Sequence, residues 1–150
     1  MSYDLAMWCS ARSVRDPQAL WRALYRGHRA TLVAAGLAVI ELPPDPAPTL
    51  SYDDAKAMVS RLDPTRIVAA FRREFGDAGV EVAQHDATTE VIGPRWRLVF
   101  GDDAYYLHIV CGWGVANDPA AMAKLRRAAL RARCSVYDIQ SETLHEPTDW

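Results

Sequence analysis

Apolar and polar residues alternate at both ends of the chain, which marks each end as a short β-strand. The first is Tyr3-Asp4-Leu5-Ala6-Met7-Trp8-Cys9 and the last Cys134-Ser135-Val136-Tyr137-Asp138. Strands at both termini tie the chain into one sheet and predict a single domain over residues 1–150. Between them, Arg95 to Phe100 sets Trp96, Leu98 and Phe100 against Arg95, Arg97 and Val99. Tyr105 to Cys111 sets Leu107, Ile109 and Cys111 against Tyr106, His108 and Val110, and Gly101-Asp102-Asp103-Ala104 reads as the hairpin turn joining the two. Val80 to Ala83 and Thr88 to Ile92 alternate less regularly.

Helical spacing follows each of three Asp-Pro pairs. Asp can cap the free N–H groups of a first turn while Pro supplies a helical φ. Asp16-Pro17 precedes Leu20, Trp21, Leu24, Tyr25, His28 and Leu32; Asp63-Pro64 precedes Ile67, Val68, Phe71 and Phe75, with Gly76 as the stop; Asp118-Pro119 precedes Met122, Leu125, Ala129 and Ala132. A shorter helix starts at Ser51, has Asp54 at the capping-box position, and is expected to bury Ala55, Met58 and Leu62. Leu37 to Leu42 reads as a short strand or extended arm, and Pro43 to Pro48 as a stiff connector.

This order predicts an α+β domain on the ferredoxin-like (split βαβ) plan, with an antiparallel/mixed sheet and additional helices inserted after the first strand. The expected sheet order is 134–138, 3–9, 105–111, 95–100. Strands 3–9 and 105–111 are expected to be parallel neighbours, with 134–138 antiparallel beside 3–9. Leu5, Met7, Cys9, Leu98, Leu107, Ile109, Cys111, Cys134 and Val136 then face the helices. The three cysteines meet at one sheet edge as small buried hydrophobes. The opposite face carries Asp4, Trp8, Arg95, Arg97, Tyr106, His108 and Tyr137. Trp, Tyr and Arg dominate binding hot spots, so Trp8, Arg95, Arg97, Tyr106, His108 and Tyr137 are the candidate partner-binding residues. The alternative is that an inserted segment, such as 37–50, folds over this face and makes it a second core layer.

Composition narrows the function. The net charge is −2, with no basic stripe to track a phosphate backbone, which argues against nucleic acid despite the strand aromatics Trp8 and Tyr106. No apolar run reaches the ~18 residues of a membrane helix. The start Met1-Ser2-Tyr3-Asp4 has no signal-peptide pattern, so the expected location is cytoplasmic. Residues 37–64 hold Glu41, Asp45, Asp53, Asp54 and Asp63 against Lys56 and Arg61, which reads as solvated surface, with an acidic docking patch as the alternative. Neither a CxxC pair nor a HxxxH pair occurs, so no metal or cofactor is expected. A GxSxG elbow, P-loop, GxGxxG and HExxH are also absent, so no catalytic residues are assigned.

Ser2-Tyr3-Asp4-Leu5-Ala6-Met7-Trp8 resembles the start of a group of small bacterial proteins that begin with Tyr-Asp-Leu, a short spacer and Trp. Pro64-Thr65-Arg66-Ile67 with Phe71, and the Tyr105–Trp113 strand, are similar to that group. Val136-Tyr137-Asp138-Ile139-Gln140 resembles its Tyr-Asp-Pro-Gln ending, with Ile139 in the place of Pro. Some members look like immunity proteins of bacterial toxin systems. The resemblance implies a non-catalytic protein that binds and neutralises a cognate toxin by occluding its active site. The alternative is a small-molecule-binding or enzymatic domain with a pocket near His108 and Tyr106.

Overall fold

Each Asp-Pro pair does start a helix. In the computed structural model, which describes residues 2–34, 36, 50–85, 88–101 and 105–147, α1 spans Pro17–Ala34, α2 Tyr52–Met58, α3 Pro64–Phe75, α4 Trp113–Ala116 and α5 Pro119–Arg131. Asp63 accepts hydrogen bonds from the Thr65 and Arg66 amides, at 3.1 and 3.3 Å. Asp118 accepts from Ala120 and Ala121 at 3.0 and 3.3 Å, and Asp16 from Ala19 at 3.1 Å. Ser51 accepts from the Asp54 amide at 3.1 Å. These carboxylates and this hydroxyl satisfy N–H groups that no helical carbonyl reaches. Gly76 ends α3 with φ of +84°, a conformation open to glycine.

Among the described residues seven strands form one sheet: β1 Ser2–Trp8, β2 Glu81–Gln84, β3 Thr88–Gly93, β4 Trp96–Gly101, β5 Leu107–Gly112, β6 Ser135–Asp138 and β7 Thr143–His145. Their order is β2-β3-β4-β5-β1-β6-β7, and every neighbouring pair is antiparallel. The four central strands keep the expected order, but β1 and β5 are not parallel. Leu5 lies opposite Ile109 and Tyr3 opposite Cys111. β5 runs antiparallel to β4, and β1, antiparallel to β5, points the same way as β4. The strand β7 and the helix α4 were not anticipated. The expected 37–42 arm, the 43–48 connector, the 102–104 hairpin tip and the Leu32 side chain lie outside the described residues.

The reversal separates the cysteines. Cys111 stands at the Tyr3 end of β1, whereas Cys9 follows its far end. Cys9 and Cys134 are joined by a disulfide across a sequence separation of 125, so the expectation of three unpaired cysteines at one edge is corrected. Cys111 is a buried free thiol.

Helices cover both sheet faces. On one side α3 and α5 pack Ile67, Phe71, Met122 and Leu125 against Leu5, Met7, Leu98, Leu107, Ile109 and Val136. The rings of Phe71 and Phe75 lie 5.1 and 5.0 Å from that of Trp96. On the other side α1 and α2 lay Leu20, Trp21, Leu24, Tyr25 and Ala55 over Ala6, Trp8, Val99, Tyr106 and Tyr137. Met58, expected in the core, is 46% exposed.

The two covering helices approach closely at Gly27, where an added Cβ would stand 2.2 Å from the Tyr52 ring. Gly27→Ala is therefore expected to destabilise the protein by about 1 kcal/mol, even though alanine favours a helix over glycine by a similar amount. Urea denaturation checks this, and a stabilised variant would refute the close approach.

A buried polar line and an arginine cleft

The residues assigned to a binding face do not share one fate. Trp8, Tyr106, His108 and Tyr137 are all buried, so they form no open surface. The covering segment is the described α1 and α2, which supply the second core layer. Arg97 is half-buried and holds Glu90 at 2.7 Å, and Glu90 also lies 3.4 Å from His85. The Arg97 hydrogen bond, against the opposing effect of burial, holds the Glu90 carboxyl below its usual range. Arg95 is exposed at φ of +66°, and its carbonyl accepts from the Gly112 amide at 3.2 Å.

The buried polar residues form a continuous line. Asp4 Oδ1 stands 2.9 Å from His108 Nε2, His108 Nδ1 stands 2.8 Å from the Tyr106 hydroxyl, and Trp21 Nε1 donates to that hydroxyl at 3.1 Å. One proton assignment leaves no donor in the line idle: His108 donates to Asp4 and Tyr106 donates to His108. Burial pushes the Tyr106 hydroxyl well above its usual pKa. His28 packs edge-on against Tyr106, with ring centroids 5.3 Å apart. Burial drives its pKa down to about 4, against a smaller upward effect of a bond to the Val99 backbone, and its Nε2 has no hydrogen-bond partner. A carboxylate, an imidazole and a hydroxyl in a row resemble a nucleophile relay. The hydroxyl, however, is buried under α1, where Trp21 and Tyr25 cover it. The line's evident work is to satisfy polar groups inside the second core.

The two terminal motifs meet in space. The Tyr3 hydroxyl donates to Asp138 at 2.6 Å. With its amide N–H turned toward the Asp4 carbonyl, Gln140 donates there at 2.8 Å and accepts from the Asp4 amide at 3.1 Å. The rings of Trp8 and Tyr137 lie 6.0 Å apart, and Tyr137 donates to Gln18. Burial first, then the Asp138 bond, raises the Tyr3 pKa to about 12. These residues clasp the chain ends together.

The acidic patch is partly used in the same way. Asp63 caps α3 and Asp53 pairs with Lys56 at 3.5 Å, while Glu41 and Asp45 lie outside the described residues.

The surface offers a different feature. A cleft of about 960 Å³ lies between α3, α5 and strands β2 and β3. Arg66, Arg72 and Arg73 of α3 and Arg131 of α5 line it, with Asp77 as the sole acidic residue in its lining. Val68, Ala69 and Val82 make its apolar part, and Gln84 and Thr89 a polar end. Arg131 is engaged by Glu74 at 2.7 Å. Among the described residues, Arg66, Arg72 and Arg73 have no carboxylate within ion-pair distance. Arg72 Nε is buried and has no hydrogen-bond partner. A signal for this cleft was present in the sequence: Arg66, Ala69 and Arg73 fall on one helical stripe, away from Ile67 and Phe71. Among the described residues no cluster of His, Cys, Asp and Glu could hold a metal ion, and no helix is long and apolar enough to cross a membrane.

A comparison with family models found no match, and a comparison with curated proteins found none either.

Proposed function

We propose that this protein works by binding a protein partner, as an immunity protein that neutralises a cognate bacterial toxin by occluding its active site. The observation that carries this reading is the arginine cleft: one helix presents three guanidinium groups with no described carboxylate at ion-pair distance, on a molecule of net charge −2. Ordered, uncompensated charge of this kind gives a partner orientation and a fast approach. The resemblance of the Tyr3–Trp8 and Val136–Gln140 motifs supports the same reading. Strands β4, β5, β1 and β6 with α3 and α5 are the part we assign to a ferredoxin-like core, widened by β2 and β3 on one side and β7 on the other.

The test is genetic and biochemical. Tagged protein is isolated from its source cells, and a co-purifying protein is identified by mass spectrometry. That protein is expected to stop growth when expressed alone and to be harmless when this chain is co-expressed. A partner whose activity is unaffected by the chain overturns the reading.

The proposed site of action is the cytoplasm. The Cys9–Cys134 bond pulls the other way, because structural disulfides persist in oxidising compartments. Mass spectrometry of protein alkylated during denaturing lysis separates the two: three alkylated cysteines support the cytoplasm, and one alkylated cysteine moves the protein outside it.

A further inference from the structure

We infer that the cleft between α3 and the edge of the sheet receives an extended, acidic segment of the partner protein; this rests on the protein-binding reading above. Three features define the occupant. The first is charge. Arg66 and Arg73 are exposed and unpaired among the described residues, and Arg72 has a buried Nε with no acceptor. A guanidinium is a fork of donors that matches a carboxylate, and a buried donor without an acceptor is costly, so the cleft lacks acceptors that a ligand can bring. The second feature is the apolar surface between the arginines. Val68, Ala69 and Val82 offer contact to aliphatic side chains set between the acids.

The third is the strand beside it. Among the described residues β2 ends the sheet and no strand flanks its outer side, and it contributes Val82 and Gln84 to the cleft. An edge strand pairs with an extended segment through backbone hydrogen bonds, while alternate side chains enter the neighbouring cleft. An acidic residue at every second position then faces the arginines.

A nucleic acid fits less well. The lining includes no aromatic ring on which a base could stack, and the overall charge is negative.

The probe is a fluorescent ten-residue peptide of alternating Glu and Val, compared by anisotropy with a Lys-Val peptide and with an oligothymidine of the same length. The Glu-Val peptide is expected to bind best, to weaken with salt, and to lose at least tenfold affinity in Arg66→Gln/Arg73→Gln. Equal binding to the double variant overturns the assignment of the cleft, as does preference for the oligothymidine. Both arginines are exposed, so unchanged thermal unfolding is expected and confirms that the variant is folded. The growth-rescue assay separates the two claims. Rescue by the double variant as strong as by the parent discards the cleft and leaves the immunity reading standing. Failure of the parent itself to rescue discards the immunity reading, and the peptide data then stand on their own.

Discussion

Asp4→Ala is expected to cost about 3 kcal/mol of stability, a large share of what a domain of this size has. The carboxylate takes the hydrogen bond of His108 Nε2 at 2.9 Å, and both groups are buried. Removing the acceptor leaves a donor in the core that neither water nor a neighbouring side chain satisfies, and the loss passes on through His108 to Tyr106. The size of the effect comes from the orphaned group rather than from the strength of the bond. Replacing both partners, in Asp4→Val/His108→Leu, is therefore expected to recover more than half of it. Urea denaturation of the two single variants and the double variant checks this. A loss under about 1 kcal/mol for Asp4→Ala, or additive losses in the double variant, would refute the closed line.

A second large effect appears on acidification. His28 is held neutral by burial, with a folded pKa of about 4 against an unfolded value near 6.5. Well above pH 6.5 the group is neutral in both states and contributes little to the pH dependence. Below about pH 6.5 the unfolded chain binds a proton that the folded chain refuses, so stability falls as pH falls, by about 3 kcal/mol when pH 4 is reached. His145 is shifted down as well, chiefly by burial, and adds to the same slope. Glu74 and Glu90 act in a lower window. Their carboxyls are held below the usual range, so the stability they contribute is lost only as pH drops through their folded values. His28→Phe is expected to flatten the curve between pH 6.5 and 4.5 while leaving the steeper fall below it. Chemical denaturation at half-unit pH steps measures this, and an unchanged slope would place the titration elsewhere.

The helix starts were legible because their signals are local. An Asp-Pro pair caps and sets φ within its own turn, so residues 16–17, 63–64 and 118–119 needed no tertiary information. Strand alternation was equally local and sorted the two faces of β1, β4, β5 and β6. What failed depended on long-range direction. The parallel pairing of β1 with β5 overlooked the reversal that a hairpin imposes, and that one error carried Cys111 to the wrong end of the sheet. The covering of the second face was half legible. The α1 stripe of Leu20, Trp21, Leu24, Tyr25 and His28 needs a surface to bury against, and the face bearing Trp8, Tyr106 and Tyr137 needs a cover. Trp, Tyr and Arg on a strand face mark a core as readily as a binding site, because a buried Tyr brings its own hydrogen-bonding group. The arginine cleft stayed hidden because its lining joins α3 to strands β2 and β3 and to α5, which are distant in sequence.

The clasp between the chain ends has a consequence for synthesis. β1 leaves the ribosome before the rest of the sheet, yet its two sheet neighbours are β5 and β6, and β6 begins at Ser135. Until β5 emerges, Leu5, Met7 and Trp8 have no strand beside them, and until β6 follows one edge of β1 stays open, so the nascent chain must carry an unsatisfied, apolar strand through most of the synthesis of this domain. Stop codons placed before residue 135 should therefore yield products that chaperones hold or proteases remove, whereas loss of the residues after 147 should leave the sheet able to close.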